Sequence, residues 1–152
     1  MPNLVETLPA RFAEVAYFFA GGNPQAQSSF DRRAARVQEQ AFARAELVQV
    51  LREYHRHLAS GPQTLANVEL LADERTVAVV TGQQAGFLTG PLYTLYKALT
   101  AIRLAKEQSQ RLGCPVVPVF WIASEDHDWA EVQETAVLNH EGKPVACCLP
   151  GS

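Results

Sequence analysis

The stretch "TVAVVTGQQAGFLTGPLYTLYKALTAIRLAKEQSQRLGCPVVPVFWIASEDHD", Thr76–Asp128, decides the fold. Its first six residues, Thr76 to Thr81, are short, β-branched and apolar, and predict a buried strand. From Pro91 to about Leu112 the pattern becomes helical. Proline suits the first helical position, where its missing N–H would have no partner anyway. Leu92, Leu95, Tyr96, Leu99, Ile102 and Ala105 or Lys106 recur at i, i+3, i+4 spacing, the mark of one apolar helix face. Gly113 and Pro115 stop the helix. Pro115 to Ala123 is a second apolar strand, with Pro118 pointing to a bulge or an edge position. Strand, loop, helix, strand is a βαβ crossover, which makes its two strands parallel. The connections that follow the two strands then emerge at one carboxyl edge, where open α/β sheets bind ligands. Gly82–Gly90 and Ser124–Asp128 are therefore predicted to share that edge.

The first connection, "TGQQAGFLTG", is neither a Walker A loop nor a G-x-G-x-x-G turn. Gly82, Gly86 and Gly90 allow unusual torsions and close approach of a ligand. Gly90 leads into a helix N-terminus, whose free N–H groups favour an anion. Gln83 and Gln84 offer amides that donate and accept, and Thr81 and Thr89 offer hydroxyls. Lys97, about two turns into the helix, is placed to reach back toward phosphate or carboxylate. The plain alternative is a tight strand-to-helix connection with surface glutamines.

The second connection, "SEDHD", packs Glu125, Asp126, His127 and Asp128 together after Ser124. Extended, Asp126 and Asp128 point one way and Glu125 and His127 the other. Opening a helix, Glu125 and Asp128 share a face. A histidine between carboxylates holds its proton more firmly, which suits proton transfer. Three readings compete: a solvated turn, a metal site built from Asp126, His127 and Asp128, and a substrate-binding or catalytic cluster. The coincidence of charge density with a strand end favours the last. His55, His57 and His140 are scattered and supply no distant ligand set, so no metal is assigned.

Outward from this unit, the N-terminal half reads as helical. A short helix is expected around "PARFAEVAYFF". A long one is expected from Ser28 or Ser29, either of which can cap it, to Leu58. Its stripe is Phe30, Ala34, Val37, Ala41, Ala45, Val48, Leu51, His55 and Leu58, and Ser60-Gly61-Pro62 stops it. A shorter helix covers "QTLANVELLAD". After the acidic cluster, "ETAVLN" and "PVACCLP" read as two strands joined at His140-Glu141-Gly142-Lys143.

With 152 residues and 47% hydrophobic side chains, the chain can bury one ordinary core. A net charge of −3 gives no footprint for nucleic acid or an anionic membrane. No apolar run spans a bilayer, and the N-terminus lacks the basic start of a signal peptide. Cys114, Cys147 and Cys148 form no zinc spacing and read as reduced, buried, small apolar side chains. A cytoplasmic location is expected.

"TGQQAGFLTGPLYTLYKALTAIRLAK" followed by "GCPVVPVFWIASEDHDWAEV" resembles, in motif, order and spacing, the bacillithiol biosynthesis cysteine-adding enzymes. The preceding helix, "FDRRAARVQEQAFARAELVQVLREYHRHL", fits that family more loosely. The resemblance implies an α/β chain with a Rossmann-like parallel βαβ core, similar to nucleotidyltransferases and preceded by a long helix. Residues 1–75 would be the N-terminal helical region and 76–152 the first part of the core. It implies a ligase that forms a carbon–nitrogen bond, joining cysteine to glucosaminyl-malate. Carried over residue by residue, the motifs are Thr81 to Gly86 and Ser124 to Asp128. Family members are several times longer and continue into further strands and a coiled-coil dimerisation segment. The expectation is therefore a fragment that is inactive alone and dimerises only with that segment.

Amide formation from a carboxylate and an amine is uphill in water, so the acid is activated first; ATP or another nucleotide is a candidate cosubstrate. In this reading Thr81, Gly82, Gln83, Gln84, Gly86, Thr89, Gly90 and Lys97 bind substrate or nucleotide. Ser124 and Glu125 belong to the same binding set, and His127, Asp126 and Asp128 are the catalytic candidates: Glu125, Asp126 or Asp128 holds a substrate ammonium, and His127 assists proton transfer from the attacking amine. The alternatives are a metal-dependent hydrolase on Asp126, His127 and Asp128, and a helical assembly module using the Phe30–Leu58 stripe.

Overall fold

The computed structural model describes residues 3–125 and 128–149. The chain divides into two compact units. One comprises the residues up to Val77 with Gln108–Pro115, the other Ala78–Glu107 with the residues from Val116 on.

The first unit is helical. It holds α1 (Leu4–Ala10), two single 3-10 turns (Phe12–Glu14 and Ala16–Phe18), α2 (Gln27–Gln38), α3 (Arg44–His57) and α4 (Pro62–Leu70). The one long helix expected over residues 28–58 is thus two helices, separated by Glu39–Ala43. That segment contains neither Gly nor Pro, so local sequence announces no break. A continuous helix of that length would be about 45 Å long, more than one small core can cover. The break lets Ala34 and Val48 both be buried. Neither expected serine caps α2: its N-cap is Ala26, and Ser29 sits buried in the first turn. The α3 end is sharper. Ala59 takes φ 49°, its N–H donates to Arg56 O (3.0 Å), and the Ser60 N–H donates to His55 O (2.9 Å). This pair of bonds around a left-handed residue is a Schellman ending, usually given to glycine.

Polar ties close this unit. The Arg44 guanidinium donates to the carbonyls of Leu71 (3.0 Å), Glu74 (3.3 Å) and Thr76 (3.0 Å). The buried Thr76 hydroxyl donates to Leu70 O at 2.6 Å. Arg52 on α3 forms a two-point ion pair with Glu69 on α4, at 2.7 and 2.6 Å. Gln27 exchanges amide hydrogen bonds with the buried Gln108 (2.8 and 3.2 Å).

The second unit carries the βαβ pattern. β1 (Val77–Gln84) and β2 (Val116–Ala123) form a two-stranded sheet, linked by α5 (Leu92–Leu112). Val77 N–H donates to Pro115 O at the start of both strands, and Gly82 lies against Trp121 near their ends. The pairing is therefore parallel. Pro118 sits inside β2, which pairs only with β1 among the described residues and is an edge strand. After α6 (Trp129–Val132), β3 (Glu134–Leu138) and β4 (Pro144–Cys148) form an antiparallel hairpin in the register Glu134↔Cys148 to Leu138↔Pro144. Asn139 Oδ1 accepts the N–H groups of Glu141 and Lys143, both at 2.9 Å, and so shapes the turn at the expected place.

Burial departs from the sequence pattern in three ways. β1 is not a fully buried strand, since Val80 is 65% exposed. The buried positions of α5 are Ala101, Ala105 and Gln108, while Leu92, Leu95, Tyr96, Leu99 and Ile102 face out. Cys148 is exposed, and Cys114 and Cys147 only half-buried; all three are free thiols.

Candidate functional site

β1 runs three residues further than the sequence suggested, so Gly82, Gln83 and Gln84 are strand residues and the connection proper begins at Ala85. Gly82 has a steric reason to be there. A Cβ at that position would lie 2.6 Å from Trp121 O and 3.1 Å from Trp121 Cβ. Only the smallest residue lets the two strands meet at this edge. Gly86 has another: its Cβ would sit 2.8 Å from Gly90 Cα, so the connection folds back on itself through glycine backbones.

Between those glycines the backbone is strained. Leu88 has φ 49° and Thr89 φ 75°, followed by Gly90 at φ 76°. Left-handed torsions at non-glycine residues cost roughly 1–3 kcal/mol each and concentrate at functional sites. The far end of the connection is tethered from β3, where the buried Thr135 hydroxyl donates to Gly90 O at 3.3 Å. Thr94 Oγ1, 3.5 Å from where a Gly90 Cβ would stand, is buried and has no hydrogen-bond partner among the described residues.

Lys97 does reach back. Its Nζ donates to Gly82 O (3.2 Å) and Gln83 Oε1 (2.8 Å), and lies 5.1 Å from the centre of the Tyr93 ring. Gln83 Nε2 in turn donates to Gln84 Oε1 (2.7 Å) and Tyr93 Oη (3.2 Å). An ammonium held by neutral oxygens and an aromatic face keeps its positive charge available to an anion. Beside this network opens a cleft of about 260 Å³, lined by Gln83, Gln84, Gly86, Pro91, Tyr93 and Val132.

The structure therefore gathers Gly82, Gln83, Gln84, Gly86, Gly90 and Lys97 around one strand end. Thr81 precedes them on β1, and Thr89 is exposed on the connection. Ser124 and Glu125 lie exposed in the turn directly after β2, at the same carboxyl edge, with Ser124 N–H donating to Ile122 O at 2.9 Å. Asp128 is exposed and immediately precedes α6. Asp126 and His127 lie outside the described residues. Among the described residues no group of three His, Cys, Asp or Glu could hold a metal. His55 is satisfied locally, its Nδ1 3.0 Å from Ser60 Oγ.

Tyr93, Thr94 and Thr135 were not singled out in the sequence. Tyr93 had a signal, since it stands four residues before Lys97 and shares its helix face. Thr135 had none, because its role depends on where the hairpin sits.

Among the described residues, no helix is long and apolar enough to cross a membrane. Residues 2–150 match the family described as "Bacillithiol biosynthesis BshC, N-terminal Rossmann-like domain". The chain is 48% identical over 138 residues to the "Putative cysteine ligase BshC" of Geobacillus kaustophilus (strain HTA426), a match covering 91% of this chain and 25% of that protein. It is 57% identical over 108 residues to the protein of that name in Symbiobacterium thermophilum, covering 70% and 19%. It is 49% identical over 126 residues to the one in Geobacillus thermodenitrificans, covering 83% and 23%. The matched region thus spans a quarter or less of these relatives. A family match over nearly all of its residues settles the lineage: the chain belongs to the bacillithiol biosynthesis BshC family, as its N-terminal Rossmann-like domain.

Proposed function

We propose that the chain supplies the strand-edge part of a cysteine ligase site, which joins the carboxyl group of cysteine to the amine of glucosaminyl-malate. The observation that supports this most is the Lys97 ammonium, seated on Gly82 and Gln83 at the edge where the acidic connection also emerges. The names of the relatives support the ligase reading.

In this proposal a carboxylate or phosphoryl group docks against Lys97, the backbone of Gly82–Gly90 and the N-terminus of α5. A helix N-terminus and a lysine together stabilise such an anion. The buried Thr94 hydroxyl, without a partner among the described residues, adds a donor beside Gly90. Glu125, Asp126 and Asp128 hold the ammonium of the amino substrate. The amine must lose a proton before it attacks the activated acyl carbon, and His127 accepts it. A new C–N bond forms as the activating group leaves with the bonding electron pair. A nucleotide would supply that activation.

The test uses a family-length protein in which this chain replaces the matched region of the Geobacillus kaustophilus relative. His127→Ala, Asp126→Ala and Lys97→Met are each expected to lower product formation at least tenfold, while the melting temperature moves by no more than about 2 °C. Full activity in both the His127→Ala and Asp126→Ala proteins would sink the assignment. The isolated chain, assayed beside it, is expected to be inactive.

A further inference from the structure

Tyr93 stands on α5 one turn before Lys97, so the two side chains share a helix face. It meets the strand-end network in two ways. Its hydroxyl accepts Gln83 Nε2 at 3.2 Å, and the centre of its ring lies 5.1 Å from Lys97 Nζ. The ligation proposed above assigns it no part.

An ammonium on a four-carbon stem is a flexible charge, with three donors and no fixed direction. Lys97 uses two of those donors, on Gly82 O at 3.2 Å and Gln83 Oε1 at 2.8 Å. The nitrogen is tetrahedral, so two anchored N–H groups set the direction of the third, the one left for a ligand. The two acceptors are not equally firm. Gly82 O belongs to the backbone of β1, whereas Gln83 Oε1 rides on a side chain with torsions of its own. The other end of that amide is what holds it. An ammonium takes only acceptors, so Oε1 faces Lys97 and the hydrogens of Nε2 face away. One reaches Gln84 Oε1 at 2.7 Å, beside it on the strand, and the other reaches Tyr93 Oη. Among the described residues, only Tyr93 ties this end of the amide to α5, the helix that carries Lys97.

We propose that Tyr93 is a positioning residue: through Gln83 it holds the Lys97 ammonium on the strand end and fixes the direction in which its third N–H is offered. The bonds run in one sense, Lys97 to Gln83 to Tyr93, so each polarises the next. The consequence for catalysis rests on the ligase reading above; the placement of the ammonium does not.

The ammonium itself is the readout. By nuclear magnetic resonance of the isotopically labelled chain, a pinned lysine ammonium exchanges its hydrogens with water more slowly than a solvated one, and Lys97→Met identifies its signal. Tyr93→Phe keeps the ring and removes the hydroxyl. It is expected to speed that exchange about fivefold, the contribution of one hydrogen bond. In a Gln83→Met background the same substitution is expected to change nothing, because the amide that transmits it is gone. Unchanged exchange in Tyr93→Phe overturns the proposal. So does an equal acceleration in the Gln83→Met background, or a Lys97 ammonium that already exchanges like a fully solvated one in the unsubstituted chain. In the family-length chimera described above, Tyr93→Phe is expected to lower kcat/KM for ligation about fivefold. Combined with Lys97→Met it is expected to add no further loss, since residues that act through one another are not additive. Additive losses overturn positioning through Lys97. If Lys97→Met leaves ligation intact while the exchange result holds, the ligase reading fails and the positioning of the ammonium stands.

Discussion

The two units spend their polar groups differently. In the helical unit, buried or half-buried polar side chains are turned inward on backbone carbonyls. Arg44 gathers three of them, Thr76 takes a fourth, and Gln27 and Gln108 satisfy each other. In the βαβ unit, polar groups collect at one strand end around Lys97, the backbone there is left-handed at two non-glycine residues, and a full apolar helix face is exposed. The first arrangement closes on itself. The second is open: among the described residues it leaves charge at a strand end, strained backbone and apolar surface side by side. Strain and unpaired surface persist only where function or a partner offsets them.

The largest expected effect lies in the open unit. Gly82→Ala puts a methyl group 2.6 Å from Trp121 O, so the paired strands must separate. A loss of about 3 kcal/mol is expected, as for a severe overpacking clash, read from the urea midpoint. In the closed unit, Arg44→Ala strips three carbonyls of their donor. With water able to reach part of the site, a loss of about 2 kcal/mol is expected. A value near zero would show that the helical unit is not held by this tie.

A matched pair sharpens the contrast. Ala59 and Leu88 both stand at φ 49°, one ending α3 and the other in the connection beside the cleft. Glycine at either position should stabilise by about 1 kcal/mol, because the left-handed torsion no longer strains a side chain. In the family-length chimera Ala59→Gly should leave ligase activity unchanged, whereas Leu88→Gly should lower it severalfold. Equal activities would remove the functional reading of the strain.

The smallest effect concerns reactivity. The Cys148 thiol donates to Glu134 Oε2 across the hairpin at 3.3 Å, and that bond, with the nearby negative charge, raises its pKa. Raising a thiol pKa favours the protonated form, so alkylation should begin at higher pH than for an ordinary cysteine. Glu134→Gln should shift the alkylation profile of Cys148, followed by mass spectrometry, toward lower pH. An unchanged profile would show that the contact does not persist in solution.

Most of the βαβ unit was legible because its signals are local. β-branched runs, Pro91, Gly113 and Pro115 mark its elements within a few residues, and the crossover rule then makes β1 and β2 parallel. The hairpin was legible for the same reason. The break at Glu39–Ala43 was not, since it answers to the size of the core and not to any helix breaker. The site was legible in part. Lys97, Gln83 and the glycines announced themselves by type and position, whereas Thr135 reaches Gly90 only through the hairpin's placement.

By itself, the sequence determined the strand, helix, strand order of the βαβ unit, the hairpin after it and the family, because each rests on residue type at short spacing. The tertiary structure alone decided which face of α5 is buried. Periodicity identifies an apolar stripe, but it cannot distinguish a face that meets its own chain from one that does not. Here the small residues Ala101 and Ala105 were buried, and the large ones were left exposed. Small side chains let a helix approach its neighbours closely.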